Sequence, residues 1–140
     1  MPVTVKSVNI WRKEVENQPG VLASVLEPLG QAGANFKVLM GYRLPGEEGR
    51  AAVELFPIAG AKASKTAMAI GLTKSSIPAL HVEGDDKPGL MHSIARALAG
   101  AGINVSFVVA QAVGRKYTAI WGFESTEAAR KAASIIKKTK

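Results

Sequence analysis

The chain has 140 residues, enough for one ordinary domain or for two small ones that share a core. At 47% hydrophobic and 21% charged it has the composition of a folded protein, which excludes a disordered chain. No apolar run reaches the length of a membrane span, Met1-Pro2-Val3-Thr4 does not open a secretory signal, and the lack of cysteine excludes disulfides and thiolate metal sites, so the cytoplasm is the expected compartment.

The net charge of +7 is uneven. Residues 1–71 contribute +2 and residues 72–140 contribute +5, much of it from Arg130, Lys131, Lys137, Lys138 and Lys140. Cations at the end of a helix complement its dipole, so a solvated helix end accounts for the patch. An anionic partner is the other reading and stays open here.

Taken in order, Val3 to Lys13 alternates and is β-branched, which predicts a strand, and the polar Glu14 to Gln18 reads as the loop after it. A helix is predicted from Pro19 to about Gln31, with Val21, Leu22, Val25, Leu26 and Leu29 on one stripe. Pro28 removes a hydrogen bond inside that helix and predicts a kink. Gly33 ends it, Asn35 to Leu44 is the next strand, and Pro45-Gly46-Glu47-Glu48-Gly49 turns the chain into Arg50 to Phe56 as an antiparallel partner. Ala61 to Leu72 reads as a second helix and Lys74-Ser75-Ser76 as a boundary. Beyond it come a strand from Ile77 to Glu83, a helix opened by Pro88, and a hairpin of Asn104 to Val113 and Arg115 to Phe123 turning at Gly114. A last helix, capped by Ser125 with Glu127 in its first turn, is expected to bury Ala128, Ala132, Ile135 and Ile136.

Two stretches of this chain are copies of each other. Asn17-Gln18-Pro19-Gly20-Val21-Leu22 leads to Gly33-Ala34-Asn35, and 69 positions later Asp86-Lys87-Pro88-Gly89-Leu90-Met91 leads to Gly102-Ile103-Asn104. Helix packing alone does not require Pro-Gly at one end and Gly-x-Asn at the other, so the module is duplicated. The expected domains are residues 1–73 and 74–140, each strand, helix, strand, strand, helix. Each is one strand short of a βαββαβ unit, so either the halves share strands or the N-terminal stretch supplies one.

The repeated pattern of an acidic or amide residue, one residue, Pro-Gly, an apolar pair, and then Gly-x-Asn resembles the ACT domain, a family of small ferredoxin-like modules that bind amino acids and regulate metabolic enzymes. The second copy carries it as Asp86-Lys87-Pro88-Gly89-Leu90 with Gly102-Ile103-Asn104-Val105; the first departs with Asn17 at the acidic position and Phe36 after Asn35. The resemblance implies an α+β fold of two ferredoxin-like βαββ(αβ) ACT-type repeats, with antiparallel sheets and helices on one face. It also implies a ligand where modules meet, against the loop after the first strand and the start of the helix. The physics of that place agrees. A helix N-terminus offers unpaired N–H groups and partial positive charge to a carboxylate. Asp86 or Asn17 could take an ammonium, and Asn104 and Asn35 offer amide donors and acceptors nearby.

The candidate ligand-binding residues are therefore Asp86, Pro88, Gly89, Leu90 and Asn104 in the second copy, and Asn17, Pro19, Gly20, Val21 and Asn35 in the first. The second is favoured because Asp86 is charged. For Asn17 and Asp86 a helix cap is the competing reading, and for Asn35 and Asn104 tolerance of the turn after glycine.

No catalytic constellation accompanies these residues. His81 and His92 are the only histidines and lack metal-ligand spacing, and neither a phosphate loop nor a nucleophile elbow is present. Asp85 and Asp86 are neighbours on an extended chain and point to opposite sides. No enzyme, cofactor or metal is expected. The function expected is a stand-alone regulatory protein that binds a free amino acid at the strand-to-helix loops of its ACT-like repeats. The alternative is a regulatory or structural subunit without a ligand that dimerises through the same surfaces and modulates a metabolic enzyme. The partners expected are the amino acid, a second copy of the chain, and a metabolic enzyme or regulator. Membrane is not expected, and neither is nucleic acid, since Phe107 and Tyr117 are scattered and form no stacking motif.

Overall fold

In the computed structural model, which describes residues 3–139, the chain forms eight strands and four helices among the described residues. They are β1 (Thr4–Val8), β2 (Trp11–Glu16), α1 (Val21–Gln31), β3 (Val38–Arg43), β4 (Arg50–Phe56), α2 (Ala61–Ala69), β5 (Thr73–Lys74), β6 (Ala79–Asp85), α3 (Leu90–Gly100), β7 (Val105–Val113), β8 (Lys116–Phe123) and α4 (Thr126–Lys138). Two antiparallel four-stranded sheets result, in the orders β3-β4-β2-β5 and β1-β6-β8-β7. Asn9–Ser75 is one compact unit, and β1 joins the residues after Ser75 in the other. We call them the inserted unit and the split unit.

Both missing strands are thus accounted for. In the inserted unit the short β5 pairs with β2 through Trp11↔Lys74 and Arg12↔Thr73. In the split unit β1 pairs with β6 from Thr4↔Glu83 to Val8↔Ala79 and takes the edge that a strand after α4 would take.

The segment expected as one strand from Val3 to Lys13 is therefore two, broken at Asn9-Ile10 and sent to different sheets. The second runs on through Glu14 to Glu16, residues expected in the loop. Period-two alternation explains it: Trp11 and Val15 enter the core, Arg12, Glu14 and Glu16 face the other way, and Lys13 reaches the carbonyl of Ile70 at 2.5 Å.

Each unit packs its helices on one face of its sheet. In the inserted unit Trp11, Val15, Val53 and Leu55 meet Val25 and Leu29 of α1 and Ala67 of α2. In the split unit Leu80, Val82, Tyr117, Ala119, Trp121 and Phe123 meet Leu90, Ile94 and Leu98 of α3 and Ala129, Ala132 and Ile136 of α4. Ala128 and Ile135, expected to be buried, are half-buried, and Leu22 of the predicted α1 stripe is exposed. α1 continues through Pro28 to Gln31. α2 stops at Ala69, short of the expected Leu72, because Gly71 takes φ +92° and sends the chain into β5. Ser125 caps α4 as expected, accepting from the Ala128 N–H at 3.0 Å. No helix among the described residues is long and apolar enough to cross a membrane.

Candidate functional site

The duplicated Pro-Gly pairs build the same local structure twice. Pro19 and Gly20 form the centre of a turn closed by the Val21 N–H on the Gln18 carbonyl at 3.4 Å; Pro88 and Gly89 form the centre of one closed by the Leu90 N–H on the Lys87 carbonyl at 3.2 Å. Gly20 has φ 86°, ψ −12° and Gly89 φ 81°, ψ −1°, the second central position of a type II turn, which glycine adopts without strain. A Cβ at either would meet nothing within 4 Å, so backbone conformation accounts for the glycine. The prolines lie outside the helices, which begin one residue after each glycine, rather than at their first position.

Beside the first of these turns is a cavity of about 270 Å³. Strand register explains why it is open. On the helix-facing side of the inserted sheet, Arg43 of β3, Ala51 of β4 and Val15 of β2 form one row across the strands. The next row is Gly41, Val53 and Lys13. Ala51 and Gly41 leave the floor low, and Val21 and Leu22 at the start of α1 make the wall. Glu16, Asn17 and Gln18 close the rim. Ser24 donates its N–H to the Gly20 carbonyl and Val21 to Gln18, which leaves the first-turn amides of Leu22 and Ala23 without an intrahelical partner.

The split unit has the same rows with other residues. There the row reads Ala112, Tyr117, Gly84, with Tyr117 where the inserted unit has Ala51 and Gly84 where it has Val15. Tyr117 is 1% exposed and packs in the core with Leu90, the counterpart of Val21. Its hydroxyl accepts from Trp121 Nε1 at 3.3 Å. Where a Gly84 Cβ would stand, the nearest atoms belong to Val3, at 3.3 Å. Burial pushes the Tyr117 phenol up, the Trp121 hydrogen bond opposes that, and the charge of Asp86 adds to the rise.

No family model and no curated protein matches the sequence. Solved structures do match in fold. Protein BT0572 from Bacteroides thetaiotaomicron superposes with a TM-score of 0.77 at 14% identity, over 96% of this chain and 98% of that one. The ligand-free regulatory subunit of aspartate kinase from Thermus thermophilus gives 0.64 at 15% identity, over 99% and 97%. A structure of aspartokinase alpha and beta subunits gives 0.60 at 16%, over 99% and 96%. The fold is the tandem ACT-type fold.

Within this ACT-type pair the candidate residues separate. Asn17 and Val21 line the cavity, while Pro19, Gly20 and Asn35 do not. Asn17 donates its side-chain amide to the Glu48 carbonyl at 3.0 Å, which ties the cavity rim to the β3–β4 loop. Asn35 and Asn104 both precede their strands, and Asn104 donates to Glu124 Oε1 at 2.7 Å. Asp86 is exposed, with its N–H on the Arg115 carbonyl at 2.8 Å; Pro88 and Gly89 are exposed beside it, and Leu90 is buried. Asp85 pairs with Lys116 at 2.7 Å, which holds its carboxyl below the ordinary carboxylate range. His92 is exposed on α3, and His81, buried on β6, meets Thr118 Oγ1 at 3.0 Å. Among the described residues no group of three metal-ligating side chains comes together.

Sequence reasoning missed Arg43, Gly41, Ala51 and Val53. The signal was the parity of the strands, which places all four on the helix-facing side once the hairpin register is known. Tyr42, whose hydroxyl donates to the buried Glu54 at 2.6 Å, points to the other face and lines the cavity only from its strand.

Proposed function

We propose that the chain is a regulatory protein that binds a free amino acid in the cavity of its inserted unit and passes the occupancy to a metabolic enzyme or regulator. The observation that carries this reading is the cavity itself, bounded by Arg43 and an apolar floor at the strand-to-helix loop, while the split unit has the buried Tyr117 at the row position of Ala51. Its volume lies just below that of sites for drug-sized ligands, as suits a metabolite of a few heavy atoms. The likeness to the aspartate kinase regulatory subunit supports a regulatory role beside a separate enzyme. A second copy of the chain would add along β7, an uncharged edge strand that presents Val108, Val109 and Val113 to solvent; antiparallel pairing of identical edges gives a two-fold dimer. Light scattering checks it: Val109→Lys should shift a dimer toward monomer.

The test of the ligand is a thermal-shift panel of the twenty amino acids, since a ligand at 100 times its Kd stabilises the folded state by about 2.7 kcal/mol. At least one should raise the melting temperature. The double variant Val15→Gly/Ala51→Tyr, which transplants the filled row of the split unit, should abolish that rise while still unfolding cooperatively. If no amino acid stabilises the chain, the subunit without a ligand is the better reading.

A further inference from the structure

We infer that the cavity selects an α-amino acid with an uncharged apolar side chain, and that Arg43 is the specificity-determining residue that reads its carboxylate. This rests on the reading that the cavity is the ligand site. Among the residues that line it, Arg43 is the one charged side chain that strand parity places on the cavity's side of the sheet, Glu16 facing the other way, and among the described residues Arg43 forms no ion pair. The neighbours of Arg43 in its row are Ala51 and Val15, which leaves its guanidinium fork to a carboxylate from outside the chain.

Away from Arg43 the floor offers no charged side chain to receive a second charge. Ala51, Gly41 and Val53 are apolar, and the Asn17 amide is committed to the Glu48 carbonyl. A charged ligand side chain laid there would lose its hydration without a partner. In the split unit the row position of Ala51 holds Tyr117, an aromatic side chain buried in the core. An apolar ligand side chain takes the equivalent room over Ala51.

The experiment is calorimetric titration of the full chain with L-leucine, L-methionine, L-lysine and L-aspartate, and with 3-methylbutylamine, which is leucine without its carboxylate. Leucine or methionine should bind about tenfold or more tighter than lysine and aspartate. Arg43→Ala should weaken leucine by about tenfold or more and leave the already weak amine unchanged, with Arg43→Lys between. Arg43 is exposed, so both variants should fold as the parent does. Tighter binding of lysine or aspartate than of leucine overturns the apolar class. Leucine binding that Val15→Gly/Ala51→Tyr stops but Arg43→Ala does not weaken overturns the role of Arg43 and spares the site. Leucine binding that survives the double variant removes the site itself, and with it this inference.

Discussion

Across the inserted sheet one row of side chains runs Arg43, Ala51, Val15, and at the same height in the split sheet it runs Ala112, Tyr117, Gly84. The backbone around the two rows is alike in the type II turn, the helix after it and the antiparallel strand order. The Pro-Gly signature therefore specifies a backbone, and the cavity depends on side chains that stand on other strands. The row holds a large residue beside a glycine in one unit and a small residue beside a valine in the other. The copy with the charged Asp86 is the one with the buried tyrosine.

The most severe way to break this comparison is Tyr117→Ala. Removing a fully buried aromatic ring should cost about 3–5 kcal/mol, with the Trp121 N–H left without its acceptor. Each unit has one tryptophan, Trp11 in the inserted unit and Trp121 in the split unit, so Trp121 emission in a Trp11→Phe background follows the split unit alone during urea unfolding. A loss below 1 kcal/mol would mean that the ring is not what fills the row.

Glycine substitution sharpens the other half of the argument, the part that the units share. Gly20→Ala and Gly89→Ala force an L-residue into left-handed backbone and should each cost about 1–2 kcal/mol. Because an added Cβ meets nothing at either place, the two costs should agree, and the parent's amino-acid affinity should survive Gly89→Ala. Unequal costs in chemical denaturation would show that the turns are not equivalent.

The smallest effect concerns acid. Asp85 is held below its ordinary range by Lys116, and Glu14 by Arg12 at 2.7 Å. A carboxyl with a depressed folded pKa contributes stability above its unfolded pKa and loses it as pH falls through the folded one. Asp85→Asn should therefore flatten the acid limb of stability followed at Trp121 and leave the limb followed at Trp11. Both side chains are exposed, so the effect is slight and fades with salt.

Much of this was legible in the sequence. The 69-residue repeat, the helices after Pro-Gly, the β3–β4 and β7–β8 hairpins, the Ser125 cap and the ACT-type fold can all be read from local pattern. The break at Asn9 was not read, because the slip in alternation that sets Trp11 off from Val8 and Ile10 is a single residue, and the pairing partners, β6 for one part and β4 for the other, tell the parts apart. The cavity was hidden by register. From Arg43 to its partner Ala51 the hairpin is three residues longer than from Ala112 to its partner Tyr117, so the offset between copies falls from 69 to 66 past the hairpin, and Ala51 aligns with Tyr117 only after that change. Charge drew attention to Asp86, while the residues that leave or fill a space are alanine, glycine and tyrosine, which carry no such signal.

The position of β1 also bears on the order of synthesis. β1 waits for β6 across roughly 70 residues, from Val8 to Ala79, and the entire inserted unit is made in between. Once that unit folds, its two ends are held together by the Ser75 N–H on the Ile10 carbonyl at 2.7 Å. The connection between β1 and β6 then behaves as a short link in place of a long flexible loop, and the chain entropy still to be lost on pairing them falls by about 2 kcal/mol. A strand made before the inserted unit is therefore incorporated into its sheet only after that unit, complete, has brought its partner within reach.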